Sequence, residues 1–394
     1  MFIKSLDVSR ERKTGIYLKE IIVSVIESIG QEHVIQFITN NGSNFTSAGD
    51  MLIGLYPQMY KMRCASHEIQ LLLKDIYEEV NWVKVATDEA RIIVMFMTQY
   101  TVLHAAMKEF TKDRQLRQPC ATRFASNFLM LQSVLDVENE LRLFVASSKW
   151  RGFDYCKTES AKRVTEIVQS DFWARGREVI KTIEPLVQVL RLVDSDGSTA
   201  GYLYEAMTRA KVAIKERCNS EASKYGRIWE LFENHRVNNI IHPIHAATAF
   251  LNPAYFCSQN FREDREMKDG INFIHKNLLL IEEKHPFMRE VQLYRSRPAI
   301  LFIATAKTML QTSHARIWWD YNGDDLPVLK KCAIRILSQP CSASSYLEKL
   351  GELPDFEYEE IHMDEDDNST LTVEGYMDDL MDNDDIAWLD DALF

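Results

Sequence analysis

The amino-acid sequence predicts an α/β region followed by a long helical body, and three observations carry that expectation. Over residues 1–80 short apolar runs alternate with amphipathic stretches, the strand–helix repeat of an open α/β sheet. From Trp82 onward strand signals fade, and long segments poor in Gly and Pro take over. From Glu352 to the C-terminus the chain holds 17 Asp and Glu and no Lys or Arg.

Phe2–Val8 reads as a strand, and Arg10–Gly15 as a turn. Leu18, Ile21, Ile22, Val25, Ile26 and Ile29 then recur at helical spacing, with Gly30 as the stop. Val34–Thr39 is a nearly continuous apolar run, as expected of a strand covered on both faces. Gly42 and Ser43 turn the chain into a helix through Leu55, with Ser43 the expected N-cap. Tyr60–Arg63 reads as a short strand, and Ile69, Leu72, Leu73 and Ile76 mark one face of the helix that follows. Beyond it, helices are expected near 84–110, 122–147, 161–193, 203–218 and 270–312.

A chain of 394 residues can bury a substantial core, and none of its stretches is apolar for long enough to span a bilayer as a helix. The N-terminus has no signal-peptide core, so an intracellular protein is expected. Seven cysteines with no C-x-x-C pair argue against a disulfide framework and a closed zinc site. Taking the 17 tail acids out of the net charge of −12 leaves residues 1–351 at +5. The body is mildly basic without a focused patch, and the tail would compete with phosphate for it.

Several phrases, in order along the chain, resemble a family. QFITNNGSN (36–44) and RCASH (63–67) resemble the middle of a plant-type hAT-family transposase; ATRFASNFLMLQSVL (121–135), HPIHAATAFLNPAYF (242–256) and WWDYNGDDLPVLKKCAIRILSQPCSAS (318–344) resemble its later segments. The resemblance implies an RNase H-like sheet, here incomplete, with a large helical insertion domain and a C-terminal dimerisation region. The expected divisions are 1–80 (RNase H-like), 81–300 (insertion), 301–350 (partial dimerisation region) and 351–394 (acidic tail).

In that family three acidic residues hold the catalytic metals. The strand end reads T-D-N-x-S-N there, and Asn40 stands at the position of its Asp. The first acid lies upstream of the segment resembling residues 1–9, so a truncated transposase is expected, without that strand or the family's N-terminal BED-type zinc finger. The third, a Glu, falls on Leu347 without a gap, or near Glu348 with one inserted residue. Two-metal phosphoryl transfer needs several carboxylates on two hard cations, and a neutral carboxamide cannot bridge them. No enzymatic activity and no cofactor or resident metal are therefore expected.

Cys64 and His67 form a C-x-x-H pair where a strand meets a helix, but zinc wants four ligands, and a packed thiol is the better reading. His242 and His245, with Pro243 between them, suit a helix start. Arg123 and Phe124 stand where the family has Arg-Trp beside its active site, and packing is expected of Phe124. Trp318 and Trp319 precede a helix with Leu326, Leu329, Ala333, Ile336 and Leu337 on one side. These seven suit an intrachain core or an interface equally, and the resemblance tips them toward dimerisation.

The tail mixes acids with Leu, Met, Ile, Trp and Phe, as activation segments do; a plain solvated tail is the competing reading. The expected function is dimerisation by a catalytically inactive transposase-like protein of the nucleus or cytoplasm. The alternatives are a nucleic-acid-binding or transcription-regulating protein that uses the tail, and an active transposase. A homodimer is the expected partner state, nucleic acid stays open as a second partner, and no membrane or small-molecule substrate is implied.

Overall fold

Thr14 starts the first described element: its hydroxyl accepts the Tyr17 N–H at 3.2 Å and opens α1 (Gly15–Ile29), which stops at Gly30 with φ of 93°. A computed structural model describes the chain at residues 6, 10–120, 123–195 and 197–343. Apart from Leu6, which is exposed and in no strand, the expected strand Phe2–Val8 lies outside these residues, as do the positions of Leu347, Glu348 and the acidic tail.

After α1 come β1 (Gln36–Thr39), α2 (Ser43–Leu55), β2 (Tyr60–Arg63) and α3 (Ala65–Glu79). The strands pair in parallel, Gln36 opposite Tyr60 and Thr39 opposite Arg63, and α2 supplies the crossover that parallel pairing requires. Gly42, not Ser43, holds the cap position of α2, so Ser43 is its first helical residue and its hydroxyl caps nothing. Only one residue of β1, Thr39, is buried, so the strand is less covered than its apolar run suggests.

The rest of the described chain is helical. α4 (Asn81–Gln99), α5 (Thr101–Thr111), α6 (Ser126–Leu135), α7 (Glu138–Ala146), α8 (Ser148–Gly152), α9 (Glu159–Gln169), α10 (Phe172–Asp194), α11 (Leu203–Arg217) and α12 (Ala222–His235) lead to a π-helical turn, Arg236–Ile240. α13 (Pro243–Leu251), α14 (Pro253–Cys257), α15 (Arg265–Asn277), α16 (Ile281–Arg295), α17 (Ala304–Thr312), α18 (Ala315–Asn322) and α19 (Pro327–Leu337) follow. Of the five helices the sequence suggests beyond α3, four are split: extended residues at Tyr100 and Ser170 break two, the expected 122–147 helix divides into α6 and α7, and the expected 270–312 helix divides into α15, α16 and α17.

Two main cores divide near residue 241. The first joins α3 to α12 around Phe128, Phe144, Phe172 and Trp173. The second joins Ile35, Tyr60 and Met62 of the strand region to α13–α19 around Phe250, Phe287, Tyr294 and the Trp318–Trp319 pair. A smaller cluster of Ile26, Leu52, Tyr56 and Met59 seals α1 onto α2. At the π-turn Arg236 donates to both carboxylate oxygens of Glu266 (3.0 and 2.6 Å), binding α12 to α15 across the two cores.

Within the second core α13 and α15 touch through backbone. A Cβ added at Gly270 would lie 2.4 Å from the Pro243 carbonyl oxygen and 2.7 Å from the Ala247 nitrogen. The last described residues return to the start of the chain. Pro340 O accepts from Gln36 Nε2 and Cys341 O from the Ala65 N–H, both at 3.0 Å, while the Cys341 N–H donates to Thr199 Oγ1 at 3.0 Å.

Candidate functional site

The C-terminal edge of the strand pair is where an open α/β sheet places its ligands, because connecting loops leave a crevice there and helix N-termini point into it. β1 ends at Thr39, whose carbonyl accepts the Cys64 N–H at 2.8 Å, so the two strands finish level. Asn40 follows, exposed, and its carboxamide oxygen accepts the Gly42 N–H at 3.4 Å. Asn41 takes the left-handed conformation (φ 68°), and its side chain accepts from the Thr46 hydroxyl at 3.3 Å. Both amides thus spend their oxygens closing the turn into α2. α1 starts beside it: a Cβ on Gly15 would lie 2.7 Å from Ser47 Oγ.

On the β2 side Cys64 is 2 % exposed and lies in a clamp. Its sulfur is 3.3 Å from Ser342 Oγ and accepts the Ala343 N–H at 3.4 Å. Neighbouring Cys341 is buried, which pushes its thiol up to about 12 and leaves it protonated and inert. His67, one turn into α3, is half-buried. Glu68 is 1 % exposed, with Oε1 3.6 Å from Arg63 Nη1, and that guanidinium also binds the Asn239 side chain. Sequence reasoning missed Glu68, since nothing in its spacing distinguishes a buried first-turn acid from a solvated one. Among the described residues no group of three or more His, Cys, Asp and Glu converges as a metal site would require.

Phe124 lies along α3 and not at its start: it packs on Tyr77 with ring centroids 5.2 Å apart, and the next residue's Ala125 N–H donates to Gln70 Oε1, midway along that helix, at 2.7 Å. Arg123 is exposed in the loop before α6. His242 caps α13 through Nδ1, which accepts the Ile244 N–H at 3.2 Å, and His245 Nδ1 accepts the His242 N–H at 3.1 Å. That is a helix start, not a ligand pair.

The seven residues expected at a dimer interface are all interior. Trp318, Trp319, Leu326, Leu329, Ala333, Ile336 and Leu337 are each no more than 1 % exposed. Trp318 donates its indole N–H to Ala306 O at 2.8 Å, and the Leu329 N–H donates to the buried Glu290 carboxylate at 2.7 Å. They cannot present surface to a second chain as folded, because α13, α16 and α17 already cover them. The outward face of α18 is instead Ile317 (47 % exposed) and Tyr321 (69 %), four residues apart. Sequence reasoning missed that pair, because it set Trp318 and Trp319 before a helix, where the structure puts them on one and turns them inward.

Residues 1–93 match a family described as a domain of unknown function, DUF659. That match spans α1, β1, α2, β2, α3 and part of α4, and so includes the edge just described. No curated protein matches the chain. None of the described helices is long and apolar enough to cross a membrane.

Proposed function

We propose that the chain is a transposon-derived protein of the hAT type, its β1–β2 unit belonging to an RNase H-like domain, that acts by association and does not cleave nucleic acid. The observation that carries this reading is Asn40. At the strand end, where the resembling family keeps a metal-binding carboxylate, this chain has a neutral amide whose oxygen closes the Asn40–Gly42 turn. The DUF659 match over residues 1–93 supports it, since that domain is found in plant hAT-like transposase proteins.

The associating activity is self-association in the nucleus or cytoplasm, through α18. The buried Trp318 and Trp319 hold that helix rigidly, so Ile317 and Tyr321 are presented with little conformational entropy left to lose. Light scattering on the full chain at two salt concentrations tests this. The expected mass is twice that of the chain, and the double variant Ile317→Ser/Tyr321→Ser runs as a monomer with its thermal midpoint unchanged. A monomer of the unmodified chain at every concentration overturns it.

A second reading, nucleic-acid binding, is favoured by one observation: exposed Arg10, Arg12 and Lys13 lead into the N-terminus of α1, beside that of α2. A gel shift that weakens steeply with salt would support it, and no shift at low salt would remove it.

A further inference from the structure

Between the start of α14 and the turn joining α17 to α18 lies a half-open cleft of about 270 Å³, walled by Tyr202, Asn252, Ala254, Leu310, His314 and Trp318. Three polar side chains of its walls already have partners within the chain. Asn252 donates to Gly201 O (3.2 Å) and accepts from the Ala254 N–H (3.1 Å). His314 bonds Ser198 O through Nε2 (2.9 Å) and accepts the Arg316 N–H at Nδ1 (3.1 Å). Trp318 spends its indole N–H on Ala306 O. The walls are therefore braced, and what they offer inward is chiefly apolar surface. The volume falls below the usual range for drug-sized ligands, roughly 300–1,000 Å³, and suits one or two large side chains of a peptide.

The rim is positive. Lys307, one turn before Leu310 on α17, and Arg316, next to Ala315 of the wall, are both exposed, and neither has a carboxylate partner among the described residues. The chain itself leads to this place. Ser338 O accepts from Ser198 Oγ at 3.0 Å, and the Ala200 N–H donates to Gln339 O at 3.1 Å, so the strip leaving the body lies on the same segment that His314 touches. Beyond Ala343 the sequence runs to MDDLMDNDDIAWLDDALF (377–394), which sets Ile386, Trp388, Leu389 and Phe394 among seven aspartates.

We propose that this C-terminal segment docks in the cleft of its own chain, with Trp388 seated between Ala254 and Leu310 and the flanking aspartates facing Lys307 and Arg316. Charge sign, apolar content and the point of departure all agree. The tether from Ala343 to Trp388 has a root-mean-square span of roughly 35 Å or more, and intramolecular docking then proceeds at an effective concentration on the order of millimolar. Weak contacts suffice at that concentration, and the docked segment screens its apolar side chains from water until a competitor displaces it.

Zero-length carbodiimide cross-linking of the full chain, read by mass spectrometry, tests the proposal. The expected result is an amide between Lys307 and the aspartates at 384, 385, 390 or 391, in preference to exposed Lys181 and Lys268, with a yield independent of protein concentration. Raising the salt to about 1 M shortens the Debye length to about 3 Å and should lower that yield several-fold. Ala254→Trp, which fills the cleft, and Trp388→Ser, which leaves the body unaltered, should each abolish the preference. An unselective pattern overturns the proposal, as does an unchanged yield in Trp388→Ser. A yield that rises with concentration and sits on a cross-linked dimer overturns it too, by giving the cleft to the tail of a second copy.

Discussion

Trp319 donates its indole N–H to the main-chain oxygen of Leu251 at 2.7 Å, so α18 supplies the partner for a carbonyl at the end of α13 that the helix itself cannot satisfy. Trp319→Phe keeps most of the apolar contact and deletes the donor. The expected loss is about 1–3 kcal/mol, the penalty for a buried acceptor left alone. Trp319→Ala adds a cavity and should cost about 3–5 kcal/mol. Urea midpoints of the two variants should fall in that order, and a Trp319→Phe midpoint equal to that of the unmodified chain would mean that the hydrogen bond contributes nothing.

Gly270→Ala should be among the most damaging small substitutions in the chain. The new methyl would meet the Pro243 carbonyl and the Ala247 nitrogen, which are backbone atoms and cannot swing aside. Prising α13 from α15 should cost about 1–3 kcal/mol or more, against the slight gain that Gly→Ala brings in an open helix. Gly226→Ala, in α12 with nothing near its added methyl, is the control and should be neutral or stabilising.

Stability should decline as the solution is acidified below about pH 6.5. Burial holds His242 down to about 4; burial, with the charge of His242 second, holds His245 down to about 3. Both values lie below the unfolded one, so the unfolded chain binds more protons in this window and folding loses ground as pH falls. The contribution is fully present above pH 6.5 and runs out near pH 4 for His242 and pH 3 for His245. For His242 it amounts to on the order of 2 kcal/mol between pH 7 and 5. His242→Asn retains a capping acceptor for Ile244. Its denaturant midpoint should therefore change less between those two pH values than that of the unmodified chain, and an equal change would rule out His242 as a source.

Asn40→Asp tests whether one carboxylate is all that the strand edge lacks. Among the described residues no group of three or more His, Cys, Asp and Glu converges as a metal site, so the variant should show no manganese- or magnesium-dependent cleavage of DNA. The new charge sits just before α2 and should stabilise the fold slightly, by about 0.3–1 kcal/mol. Cleavage by this variant would overturn the non-catalytic reading.

The β1–α2–β2–α3 run was legible because each of its elements announces itself locally, by an apolar run, a glycine stop or one apolar helix face. Ser43 was misplaced by one position because a Gly-Ser pair offers two cap candidates and Gly42 needs no side chain to serve. The breaks at Tyr100 and Ser170 were invisible, since a helix-compatible residue can be held extended by packing that the local sequence does not encode. α12 went unread because its buried apolar residues, Ile228, Leu231 and Phe232, are few and set among polar and charged ones. At the site, the strand end was readable from the local pattern, but Asn40 was singled out only by the resemblance of QFITNNGSN to the hAT-family phrase. The inward turn of Trp318 and Trp319 depends on Leu251 and Ala306, and no local pattern names those partners.

The return of residues 338–342 to the strand edge bears on how the chain matures during synthesis. Gln36 and the first turn of α3 take partners from Pro340 and Cys341, about three hundred positions later. At roughly 5–20 residues per second, a ribosome needs on the order of 15–60 s to deliver them. Through that interval the nascent strand pair must persist without its closing segment, and the long α4–α12 stretch emerges while it waits. Newborn chains are thus most exposed to chaperones and to misassembly in the period between the two ends of this contact, and any premature stop before Cys341 would leave the edge permanently open.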